Sequence, residues 1–243
     1  MTLPVNAEHM VKLLSRGSQE ALSSSYRNWY VETDDFSSFD ADDDYVVSNS
    51  LGGGTTGTAD VIDGAFGILQ IDSNSGTADQ GAQVQHKTET ILPAANKGLI
   101  FGCRLKVTDT ISKSQIFAGL SILDTTMFAS GENTSTDHIG FEMNATTLAA
   151  ASGRVDFVAE KGGARTSVST VTTLVEDTYI ILEFYANGLD TITPLINGVG
   201  GTGITTGSTH TPTAEMAATF CCQSEGTDDP IVSLDWYFIA QER

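Results

Sequence analysis

The stretch TYIILEFYANGLDTITPLINGV, residues 178–199, decides how the rest of the chain is read. In its first arm Ile180, Leu182 and Phe184 point one way, and Tyr179, Ile181, Glu183 and Tyr185 point the other. This alternation predicts a strand with one well-buried face. Asn187 and Gly188 follow, residue types that tolerate the positive φ of tight hairpin turns. The return arm sets Ile192, Pro194 and Ile196 on one side and ends in a second Asn-Gly, Asn197-Gly198. Pro194 has no N–H to give to a ladder, so this arm is expected at an edge or a bulge. Residues 178–199 therefore form a β-hairpin.

Working outward, the same period recurs. Strands are predicted over 65–71, 83–92, 99–107, 116–123, 138–143, 154–160, 166–174, 216–222 and 231–240, with an opening strand within 28–39. In 99–107, Leu99, Phe101, Cys103, Leu105 and Val107 point inward, and Arg104 and Lys106 outward. Residues 116–123 are apolar on both faces, which suits a central strand. In the last strand Val232, Leu234, Trp236 and Phe238 are predicted to face inward. The run LGGGTTGT, residues 51–58, is predicted to be a flexible loop. It lacks the following Lys and helix of a phosphate cradle. About a dozen short strands with turn chemistry at each break indicate an all-β fold, an antiparallel β-sandwich. No shift in composition divides residues 31–243, and no fixed-period repeat is evident.

Residues 1–30 read differently. Ala7, Met10, Val11 and Leu14 lie at i, i+3, i+4 and i+7, one stripe of a helix, with Asn6 as N-cap and Gly17 as stop. Lys12, Arg16 and Arg27 against Glu8 and Glu20 give this arm a charge of +1, which leaves −20 for the body. Such an amphipathic arm either packs on its own domain or docks on another subunit.

The 243 residues are 40% hydrophobic, enough for a sizeable core, and carry a net charge of −19. That charge repels nucleic-acid phosphates and anionic lipid, so neither is an expected partner. No apolar run approaches the roughly 18 residues that span a bilayer. The N-terminus lacks the apolar core of a signal peptide, so synthesis and retention in a cytosol are expected. Cys103, Cys221 and Cys222 make no disulfide framework, and Cys103 and Cys222 fall on apolar strand faces as small hydrophobes. The acidic run Asp40, Asp42, Asp43, Asp44 has Tyr45 where a calcium loop needs Gly, and reads as a solvated turn. The loop holding Asp72, Asn74, Gly76 and Asp79 reads the same way, with calcium as the alternative. No metal or cofactor is expected.

His9, His86, His138 and His210 are scattered, with no HxH or HxxxH partner. No GxSxG elbow is present. Sandwich-fold glycosidases place two carboxylates on one strand face at spacings such as ExDxxE, and no strand here carries that. Asp156 and Glu160 share a strand face, but about 13 Å apart at strand rise, beyond the ~5–9.5 Å such chemistry uses. Glu183 stands alone among apolar neighbours. On these grounds the chain is expected to be no enzyme.

Four stretches carry a family resemblance: ETILPAANKGLIFGCRLKVTD, SQIFAGLSILDT, the hairpin above, and the closing IVSLDWYFIAQER. In order and spacing they resemble laminin-G-like or concanavalin-A-like jelly rolls. More narrowly, the chain from Trp29 to Arg243 is similar to the jelly-roll virion proteins of tailed bacteriophages, of the capsid decoration or cement type. The resemblance implies a non-catalytic structural protein on the outside of a capsid, made in the host cytoplasm, with the major capsid protein as partner and a trimer as its assembly. Under it, the residues expected to grip the shell are Met10, Val11, Leu14, Tyr26 and Trp29, flanked by Lys12 and Arg16. The alternative is a carbohydrate-binding module or phage adhesin, with Tyr185 as a candidate exposed aromatic and a glycan as ligand.

Overall fold

The computed structural model describes residues 29–41, 43–51, 57–62, 67–74, 78–109, 111, 114–129, 132–143, 153–205, 207–226 and 229–243. The predicted helical arm lies outside these residues, as do Met10, Val11, Lys12, Leu14, Arg16 and Tyr26. The chain folds as two antiparallel sheets face to face, the sandwich that the strand pattern predicts. The first sheet runs in the order Val199–Gly200 (β15), Thr191–Ile196 (β14), Ile180–Asn187 (β13), Gly98–Thr108 (β6), Ile231–Glu242 (β18), Ile68–Asp72 (β4) and Thr58–Ile62 (β3). Trp29–Asp34 (β1) pairs with the far half of β18, so β1 and β4 share one edge of that strand end to end. Ile204–Thr205 (β16) pairs with β14. The second sheet runs Ala164–Thr173 (β12), Arg154–Lys161 (β11), Asp137–Met143 (β10), Ser114–Ser121 (β7), Ala217–Ser224 (β17), Gly81–His86 (β5) and Tyr45–Leu51 (β2). A small hairpin, Phe128–Ala129 (β8) with Glu132–Asn133 (β9), stands apart, and Gly207–His210 forms a single helical turn (α1).

The opening hairpin is β13–β14, with Leu182 opposite Ile196 and Asn187 opposite Thr191. Its second Asn-Gly turns tightly into β15, with Asn197 and Gly198 both at positive φ. Pro194 sits between the two-residue strands β15 and β16, which pair only with the ends of β14. The missing N–H therefore costs the sheet little. β7 lies at the centre of the second sheet and is buried along its whole length.

The core is crossed by a chain of rings drawn from both sheets. Phe141 meets Phe157 at 5.1 Å, Phe157 meets Phe184 at 5.6 Å, and Phe184 stacks on Phe101 at 5.3 Å. Phe101 continues to Phe220, and Phe220 to Tyr237. Each such contact adds about 0.5–1.5 kcal/mol beyond area burial. At the end of this spine, Tyr237 donates to Glu32 and Tyr45 donates to Asp34, which satisfies the hydroxyls that enter the core. All three cysteines are free and buried.

Two expectations need correction. Residues 45–51 and 58–62 form edge strands that the sequence reading did not place; they take in the two ends of the loop expected over 51–58, whose residues 52–56 lie outside the described residues. Both strands are short and pair on one side only, so few apolar residues are needed to hold them. The second concerns β18. Val232 and Leu234 face the core as predicted, but a β-bulge lies between Leu234 and Trp236. The extra residue, Asp235, is ion-paired with Arg104. Beyond it Tyr237 and Ile239 face the core, and Trp236 and Phe238 turn to the outer face. A bulge flips every later side chain, because the strand period is two.

Candidate functional site

The outer face of the second sheet, turned away from the core, gathers most of the buried polar groups. On β10 it presents His138 and Glu142, on β11 Asp156 and Glu160, on β5 Gln83 and Gln85, and on β17 Thr219 and Gln223. The loop before β8 covers the β5–β17 part of this face. Gln83 accepts from the Met127 amide, Gln85 donates to the Ile122 carbonyl, and Met127 and Phe128 pack on Phe117, Val158 and Cys221.

The charged groups gather on the β10–β12 part. Glu142 lies opposite Asp156 in the ladder, and His138 opposite Glu160. Arg165, from β12, grips Glu142 with two parallel bonds, Nη2 to Oε1 at 2.7 Å and Nη1 to Oε2 at 3.2 Å. The Asn133 amide adds a third bond to the same carboxylate at 3.2 Å. Arg154 donates to both oxygens of Asp156. The Thr170 amide donates to Asp156 at 2.6 Å, and Thr170 sits at φ 55° beside a bulge in the β11–β12 ladder. Positive φ is costly for a β-branched residue, so this carboxylate helps hold a strained turn of chain. Charge-assisted, forked bonds of this kind are the stronger class.

His138 is fully buried and stands edge-on to Phe117 at 5.6 Å. Its Nδ1 is 3.0 Å from the Ser135 carbonyl, which fixes that nitrogen as the donor. Among the described residues Nε2 has no hydrogen-bond partner, and Glu160 is 4.0 Å away. Burial pulls His138 down to about 4, so the ring is neutral near neutral pH. Burial raises Glu160 above the usual carboxylate range, with Arg165 opposing. Among the described residues, no group of three or more His, Cys, Asp or Glu is placed to hold a metal ion. No described helix is long and apolar enough to cross a membrane.

Of the residues expected to dock on a shell, the described part contains Trp29. It begins β1, opposite Glu242, and packs half-buried on the outer face of the first sheet. Tyr185, the candidate exposed aromatic, is buried on that same face at 7% exposure. The cluster around Glu142 was missed because carboxylate pairs were sought along single strands, whereas this pair forms across two. The available signal was the alternation itself, which puts His138 and Glu142 on one face of β10, and Asp156 and Glu160 on one face of β11.

No protein-family model matches the chain, and no curated protein matches it. Solved structures do match in fold. A glycoside hydrolase family 16 endo-glucanase from Bacteroides ovatus aligns with a TM-score of 0.59 and 12% identity, over 86% of this chain and 99% of its own. An endo-1,3-beta-glucanase from Streptomyces sioyaensis aligns at 0.60 and 11%, over 88% and 97%. Peanut lectin aligns at 0.58 and 11%, over 88% and 97%. At this identity the likeness establishes the fold: a concanavalin-A-like, lectin-like jelly roll.

The expectation that the chain is no enzyme is overturned. The sandwich is shared with several glucanases, so the fold is one that hosts glycoside hydrolysis. The expected separation of about 13 Å applies along one strand, and Glu142 and Asp156 are direct cross-strand neighbours.

Proposed function

We propose that this chain is a carbohydrate-binding jelly roll whose site is the Glu142–Asp156–Arg165 cluster on the outer face of the second sheet. The observation that carries this is the convergence there of carboxylates, two guanidiniums and the Asn133 amide, next to a guanidinium that reaches solvent. A sugar hydroxyl accepts as well as donates, and the partly exposed guanidiniums of Arg165 and Arg154 offer it donors, held in place by the buried carboxylates of Glu142 and Asp156. Convergent polar groups at fixed positions are what set a small ligand's orientation. The neighbours in fold include a lectin and glucanases, one of them in complex with a mixed-linkage glucan product, which favours oligosaccharides of that class as the first ligands to try. A role on a capsid, with a major capsid protein as partner and a trimeric assembly, has only the sequence resemblance behind it.

The test is titration of the isotope-labelled chain with mixed-linkage and 1,3-linked β-glucan oligosaccharides, followed by amide NMR. Shifts confined to β10, β11 and β12, and a tenfold or greater loss of affinity in Arg165→Ala, are expected. Absence of binding to these sugars and across a glycan array would reject the proposal. Mass analysis of the recovered oligosaccharide shows whether it leaves intact.

A further inference from the structure

Strands β7 and β10 are antiparallel neighbours, and the Ile122 amide donates to the Asp137 carbonyl where they meet. A hairpin loop of about 2–5 residues is enough to join such a pair. Here residues 122–136 intervene, of which 122–129 and 132–136 are described. They run as a strap across the outer face of the second sheet, and its fastenings can be followed strand by strand.

Over β5 the strap is tied by two side-chain amides that stand in for a ladder. Gln85 accepts from the Asp124 amide at 3.0 Å and donates to the Ile122 carbonyl at 3.1 Å. Gln83 accepts from the Met127 amide at 3.0 Å and donates to the Asp124 carbonyl. In the middle of the face, Gly119 of β7 lies opposite Gly140 of β10. The Phe117 ring lies along this pair, since a Cβ on Gly119 or Gly140 would come within 3.0 or 2.8 Å of its tip. Met127 and Phe128, both fully buried, pack in one cluster with that ring, Cys221 of β17 and Val158 of β11. At the far end the Asn133 amide donates to Glu142, while its carbonyl accepts from the Ser135 amide. The strap therefore ends against a carboxylate of the sugar site.

Lifting the strap would expose the Met127–Phe128–Phe117 cluster to water and break the bonds at Gln83, Gln85 and Glu142 together. It is a wall and not a lid. Among the described residues it leaves open the β11–β12 margin, where Arg154 and Arg165 reach solvent and Ser167 is exposed. From β10 to β12 this margin is about 10 Å wide. A glycan running along the strands there would meet the Arg165 side chain, which crosses β11 to reach Glu142. Resting on the carbohydrate reading above, we infer that the site is one-ended. The terminal sugar of a glycan enters over β12 and stops at Asn133 and Glu142, and an internal segment of a long chain has no path across the sheet. The ligands are then short oligosaccharides and the free ends of polymers.

The test is a length series with the full chain. Mixed-linkage β-glucan oligosaccharides and size-fractionated polymers of the same linkage are compared by calorimetric titration on a mass basis. Apparent affinity per unit mass should fall in proportion to chain length, about tenfold for each tenfold increase. Affinity per unit mass that does not change with length would overturn the one-ended site and leave the carbohydrate reading standing. No binding by any member of the series would overturn both. In the oligosaccharide complex the Met127 amide, held by Gln83, should keep its slow hydrogen exchange. Faster exchange on saturation would mean that the strap lifts, and would overturn the inference as well.

Discussion

Glu183 on the outer face of the first sheet and Glu142 on the outer face of the second are both shielded from solvent, at 0% and 1% exposure. Glu142 is met by a guanidinium fork and an amide. Glu183 is met by Phe238, Leu195 and the bare backbone of Gly102. Its acidity follows: burial pushes Glu183 up to about 7, with only the Gly198 amide pulling the other way. The buried base of the second face is shifted in the opposite direction, His138 falling to about 4. One fold thus carries two buried titrating groups whose effects on stability oppose each other. Burial is the main cause of both shifts: it disfavours the charged form, and so raises an acid and lowers a base.

The largest expected effect tests how the faces are assigned at all. Inserting one alanine between Trp236 and Tyr237 would turn Tyr237 and Ile239 outward and Phe238 inward, because the strand period is two. That breaks the aromatic spine and the Tyr237–Glu32 bond together. Cooperative unfolding should be lost, or stability reduced by more than about 4 kcal/mol. A variant with a near-native urea transition would show that alternation does not set the faces beyond Trp236.

The next effect separates the two faces by pH. Between about 4.5 and 7 the folded Glu183 holds a proton that the unfolded chain has released. Stability should therefore fall as pH rises through this window, by roughly 3 kcal/mol in total. His138 does the reverse. Between 6.5 and about 4 the unfolded ring takes up a proton that the folded ring refuses, so stability falls by a similar amount, roughly 3 kcal/mol, as pH falls. Urea titrations of Glu183→Gln and His138→Phe at several pH values should each lose one slope and keep the other. Parallel profiles in both variants would defeat the comparison.

The smallest effect is at Arg165. Replacing it by alanine leaves Glu142 buried with only the Asn133 amide and its remaining neighbours. Breaking a buried pair costs about 3–5 kcal/mol, and the partial exposure of this guanidinium, 32% for the side chain, reduces that to about 2 kcal/mol. Adding Glu142→Gln should recover most of the loss, read from the urea midpoint. No recovery would mean that Arg165 stabilises by packing alone.

Much of the fold was legible because its signals are local. The alternation in β6 and β13, the Asn-Gly turns and the two-sided burial of β7 each follow from neighbouring residues. The β18 bulge was not legible, since Asp235 reads as an ordinary outward position until its pairing with Arg104 is known. The site was half legible. Periodicity puts Glu142 and Asp156 on outer faces, but only the ladder register brings them together, and only the long reach of Arg165 closes the cluster. The edge strands β2 and β3 escaped because sparse apolar residues beside a glycine run look the same in a loop.

The position of β18 has a consequence for how the chain is made. This strand lies inside the first sheet, between β6 on one side and β1 with β4 on the other, although more than a hundred residues separate it from β6. During synthesis β6 offers an unfilled edge until that intervening length has left the ribosome. Long-range pairing of this kind is slow, and an open edge meanwhile invites contact with other nascent chains. Aggregation in the cell should therefore track translation speed and chaperone supply more closely than the equilibrium stability of the finished sandwich.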